Sequence, residues 1–90
     1  MTGRTIRAEI DERDAAALDE LARIEGRSRS RIVAAAVKTF LELAPAARLA
    51  LFAIDGLATE DERAAAMAVV GQSAIDAYQA ILANRQTRRR

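Results

Sequence analysis

The 90-residue sequence has no cysteine, no histidine and no tryptophan. Disulfide staples, thiolate and imidazole metal sites, a thiol nucleophile and the commonest general base are thereby excluded. Serine hydroxyls remain, but Ser28, Ser30 and Ser73 have no base-bearing motif around them, and no glycine-rich phosphate loop is present. The expectation is therefore a protein that is not an enzyme and holds no cofactor and no metal; a nickel-type sensor is excluded on the same grounds. Aromatics are confined to Phe40, Phe52 and Tyr78, so much of the apolar half of the chain is alanine, which favours helix and fills little volume. No apolar run approaches the roughly 18 residues that span a bilayer. Residues 1–9 lack the apolar core of a signal peptide, which leads us to expect a cytoplasmic protein without a membrane partner. The formal net charge is only +1, so affinity for nucleic acid has to come from where the arginines sit.

A chain this short buries a modest core by itself, which makes oligomerisation an expectation from the start. Thr5-Ile6-Arg7-Ala8-Glu9-Ile10 alternates with period two, setting Ile6, Ala8 and Ile10 on one face and Thr5, Arg7 and Glu9 on the other. This pattern predicts a strand, the only convincing one in the sequence. A lone strand leaves its backbone N–H and C=O groups unpaired, and the simplest remedy is the same strand from a second copy.

Asp11 is placed to N-cap a helix running from about Glu12 to Glu25, with Gly26 as its left-handed C-cap. Ser28 caps a second helix, whose apolar positions Ile32, Val33, Ala36, Val37, Phe40 and Leu41 recur at three- and four-residue steps and which should end near Leu43. Pro45 opens a third segment, expected to be helical over residues 46–54 and to stop at Asp55-Gly56. Thr59 and Glu62 form a capping-box pattern for a fourth helix striped with Met67, Val70, Ala74, Tyr78 and Ile81 or Leu82. Gly71 falls inside that helix at a cost of about 1 kcal/mol relative to alanine. Residues 84–90 read as a basic tail expected to fray.

The stretches Arg4-Thr5-Ile6-Arg7-Ala8-Glu9-Ile10-Asp11-Glu12, Leu18-Asp19-Glu20-Leu21-Ala22, Gly26-Arg27-Ser28-Arg29-Ser30 and Ala36-Val37 together resemble the ribbon-helix-helix superfamily of DNA-binding proteins, closest to its CopG-like branch. The resemblance covers the first half of the chain. It implies a mostly α dimer with an intermolecular two-stranded antiparallel β-ribbon, here followed by a C-terminal helical extension. Residues 1–44 would form the DNA-binding and dimerisation domain. Residues 45–90 would serve oligomerisation or partner binding. The outward Thr5, Arg7 and Glu9 would meet base edges in the major groove, Arg7 forking onto guanine and Glu9 either accepting from cytosine or holding Arg7 across the ribbon. Arg4, Arg27, Ser28, Arg29 and Ser30 would contact phosphate, aided by free N–H groups at a helix start. Ile6, Ala8, Ile10, Leu18, Leu21, Ile32, Val33, Ala36, Val37 and Phe40 would form the dimer core.

Two functions follow from this reading. One is a transcriptional repressor that binds operator DNA as a homodimer, or as a tetramer braced by its C-terminal helices. The other is an antitoxin whose second half wraps a toxin protein and folds on it. A plasmid copy-control or DNA-transfer accessory protein would share the same DNA mode.

Overall fold

Alanine-rich stretches bounded by Asp11, Ser28, Pro45 and Thr59 become four α-helices in the computed structural model, which describes residues 3–88. They are α1 Glu12–Glu25, α2 Arg29–Glu42, α3 Pro45–Leu57 and α4 Glu60–Arg88. The starts of α1, α2 and α4 satisfy backbone N–H groups that a helix leaves without intrahelical partners, and the start of α3 has no side-chain cap. Asp11 Oδ1 accepts from the Arg13 N–H at 2.8 Å, and Ser28 Oγ accepts from the Arg31 N–H at 3.1 Å. Pro45 occupies the first turn of α3, where its missing N–H costs nothing. At α4 the capping box closes reciprocally: the Glu62 N–H donates to Thr59 Oγ1 at 3.2 Å, and the Thr59 N–H donates to Glu62 Oε1 at 2.9 Å. Gly26 ends α1 at φ 65° and ψ 33°, the left-handed conformation that glycine adopts without a Cβ clash.

The main correction to the sequence reading concerns residues 5–10. No strand is present among the described residues, and the intermolecular two-stranded antiparallel β-ribbon is absent with it. The chain is helical throughout its regular structure, so the ribbon-helix-helix fold does not describe it. Period-two alternation decides which side chains share a face, but a strand exists only through a ladder of backbone hydrogen bonds. Residues 5–10 make no such bond. Two smaller corrections concern helix ends. Helix α3 runs through Asp55-Gly56 to Leu57, and α4 continues through the expected fray to Arg88, where Thr87 Oγ1 donates to the Ala83 carbonyl at 3.1 Å. Of the expected tail, Arg89 and Arg90 lie outside the described residues.

The chain divides between Leu43 and Ala44 into two compact units. In the first, α1 and α2 touch, with Ala15, Leu18 and Ala22 half-buried on one helix and Ile32 and Phe40 on the other. In the second, α3 meets α4, with Leu51, Ile54, Ala58 and Ala66 half-buried and an ion pair of 2.6 Å between Asp55 and Arg63. None of the described residues is fully buried in either unit. Isolated helices of 14 residues, the length of α1 and α2, are marginal in water.

Candidate nucleic-acid interface

A groove of about 1310 Å³ opens in the first unit. Its floor is one row of α2, Val33, Val37 and Leu41, spaced four residues apart so that they stack on one helix face, with Leu18 of α1 beside them. Residues 4–9 of the irregular N-terminal segment form one wall. The adjacent α2 row, Ser30, Ala34, Lys38 and Glu42, follows the same four-residue step and also lines the groove, and Arg29 stands one step before Val33 in the apolar row. Small-molecule pockets usually enclose about 300–1,000 Å³. A wider, open groove with an apolar floor and charged walls suits a macromolecular surface better.

The walls carry most of the charge. Residues 27–41 contain Arg27, Arg29, Arg31 and Lys38 and no acid, whereas α1 carries Glu12, Asp14, Asp19, Glu20 and Glu25 against Arg13 and Arg23. Arg29 bridges the two helices through an ion pair of 3.1 Å with Asp19, both side chains being largely exposed. Exposed pairs of this kind contribute about 0–1 kcal/mol, so a phosphate can draw Arg29 away at little cost. On α1 the Glu20 carboxylate hydrogen-bonds the Arg23 guanidinium and raises its pKa, keeping that charge on the acidic helix. Outside the groove, Thr59 holds the Glu62 carboxyl below its usual value of 4.5 through its backbone N–H and its hydroxyl. No group of three acidic side chains poised for a metal ion occurs among the described residues, and none of their helices is long and apolar enough to cross a membrane.

The residues singled out by sequence fall into three sets. Arg4, Thr5, Arg7, Glu9, Arg29 and Ser30 all line the groove, joined on its apolar side by Ile6, Ala8, Leu18, Val33 and Val37. Arg27 and Ser28 sit just before α2 and are not part of the lining; Ser28 uses its oxygen as the helix cap. Ile10, Leu21 and Ala36 are exposed and off the groove, while Ile32 and Phe40 are half-buried. Lys38 and Leu41 escaped the sequence reading as site residues. The signal was there, since Lys38 lies two four-residue steps from Ser30 and Leu41 two from Val33.

No family model, curated protein or solved structure matches the chain.

Proposed function

We propose that the protein is a sequence-specific DNA-binding transcriptional repressor that acts in the cytoplasm as a homodimer. The observation that carries this reading is the convergence of Arg4, Arg7, Arg29, Ser30 and Lys38 on the walls of one groove. Arginine forks match phosphate and guanine, and side chains near the α2 start are joined there by the N–H groups of Arg29 and Ser30, which no capping side chain uses. Arg27, Ser28, Arg29 and Ser30 grip phosphate, while Arg4 and Arg7, on a segment with no backbone ladder, order on the duplex; Thr5, Arg7 and Glu9 are then the base readers. The apolar floor takes the second copy, because Val37 at 50% exposure and Leu41 at 69% have no cover within the chain.

Helix α3 starts on Pro45, helix α4 on its Thr59–Glu62 capping box, and an ion pair joins the two. Those local stops support a repressor with a structured second unit over an antitoxin that folds only on its toxin.

The test is fluorescence anisotropy of the full chain with a random-sequence duplex pool, over a salt series, followed by selection of the bound fraction. Binding should weaken with salt at a slope of about −0.9 per phosphate contacted, and selection should enrich a two-fold symmetric motif. Absence of binding at about 50 mM salt, where non-specific contacts are strongest, would sink the proposal.

A further inference from the structure

Helix α4 has 29 residues, and α3 meets it in its first turns, through Glu62, Arg63 and Ala66. Beyond that contact Met67, Gly71, Ala74, Ile75, Tyr78 and Leu82 recur at steps of three and four and share one face. Within the second unit none of the described residues covers it: Ile75 is 51% exposed and Tyr78, the largest side chain of the row, 61%. Gly71 in the middle of this face is unexplained from within the molecule. Its φ is not positive, and a Cβ built there meets no atom within 4 Å. A glycine that neither the backbone nor a neighbour requires, in a helix it weakens, points to something approaching from outside.

The charges on α4 narrow down what approaches. Its first turn holds Glu60, Asp61 and Glu62, and its last holds Arg85 and Arg88. An antiparallel copy of the same helix lays each acidic end along the other's basic end. Centred between Ala74 and Ile75, that register also sets Gly71 opposite Tyr78 and Met67 opposite Leu82, so a gap meets a ring at two symmetric places. A parallel copy would stack Tyr78 on Tyr78, Gly71 on Gly71 and like charges at both ends.

We propose that α4 is a self-association helix that pairs antiparallel with α4 of a second copy, each Gly71 receiving the Tyr78 ring of the other. This contact lies wholly in the second unit and does not depend on DNA recognition by the first. Loss of DNA binding would leave it standing, and its own failure would leave the DNA reading standing.

The absence of native cysteine makes the test clean. In the full chain, Ala74→Cys should form an inter-chain disulfide under mild oxidation, while Asp76→Cys, on the opposite face, should not. A spin label at Gln86→Cys reads the orientation. The antiparallel register separates the two labelled backbones by about 35 Å along the helix axis, from a rise of about 1.5 Å per residue, whereas a parallel pair brings them side by side. Adding Gly71→Leu to Ala74→Cys should cut the cross-linking yield at least tenfold. Helicity should be unchanged or higher, since leucine is the better helix former, so the loss would report a blocked contact and not an unfolded helix. Cross-linking at residue 74 no better than at residue 76, or labels side by side, overturns the proposal; the first result would leave the face to a different protein.

Discussion

The two units face one problem, apolar side chains with no core to enter, and differ in how charge surrounds them. In the first, a run of basic residues without acids, 27–41, flanks the apolar row of α2, opposite an acidic α1. In the second, the apolar face of α4 lies between an acidic start and a basic end of the same helix. The basic run 27–41 calls for an anionic partner, of which nucleic-acid phosphate is the most widespread, while Glu9 and Glu42 share the groove lining with Arg4, Arg7, Arg29 and Lys38. A surface that carries both signs at opposite ends is complementary to its own reverse. From this difference, the proposed DNA contact is placed on the basic run of the first unit, whose apolar row is left for a second copy, and the proposed α4 self-pairing on the second unit.

Five experiments break or sharpen that comparison. The largest effect is expected from Val37→Asp, which puts a charge on the groove floor that a second copy would bury. An uncompensated buried charge costs about 3–5 kcal/mol, which corresponds to roughly a hundred- to several-thousand-fold weaker association of the first unit by sedimentation. Undiminished association there would remove the groove from the dimer. Next comes Arg7→Ala, with a loss of about 1–3 kcal/mol of discrimination between the selected motif and its single-base variants, read by competition anisotropy. Equal loss on all sequences would move Arg7 to the phosphates.

In the second unit, Thr59→Ala removes the cap of α4 and should lower stability by about 0.5–2 kcal/mol in thermal unfolding followed by circular dichroism. The same cap predicts a pH dependence. The folded-state pKa of Glu62 is lowered, so its contribution is fully present above the usual 4.5 and is lost as the pH falls through the lowered value. Glu62→Gln should flatten that acid limb, and an unchanged limb would show that other carboxylates set it. The smallest effect belongs to Asp19→Asn, which releases Arg29. Stability should change by under about 1 kcal/mol because the pair is exposed. DNA affinity should rise alike on all sequences and steepen with salt; no gain would mean that Arg29 does not reach phosphate.

Helix positions were legible because their determinants are local. Asp11, Gly26, Ser28, Pro45 and Thr59 each act within four residues of themselves, and each marks a boundary where the pattern placed it. Where the reading stopped short, at Asp55-Gly56 and at Asn84, a weak stop signal lost to continuing backbone bonds in α3 and α4. Arg4, Arg7, Arg29 and Ser30, named as contact residues through the family resemblance, line one groove. Lys38 and Leu41 were missed because charge and hydropathy were read along the chain and not along rows of α2.

Residues 5–10 mark where such reading fails. Alternation and resemblance both described a strand, and both are statements about side chains. Whether a strand forms depends on donors and acceptors that another segment must offer, and none of the described residues offers them. Composition and spacing alone thus settled the helices, their caps and the apolar faces, all of which arise from interactions a few residues long. Which side chains gather on a common groove, that Arg29 is tethered to Asp19, that residues 5–10 form no strand, and that none of the described residues is fully buried were decided by folding in three dimensions. Those outcomes depend on contacts between segments distant along the chain, and local pattern does not encode them.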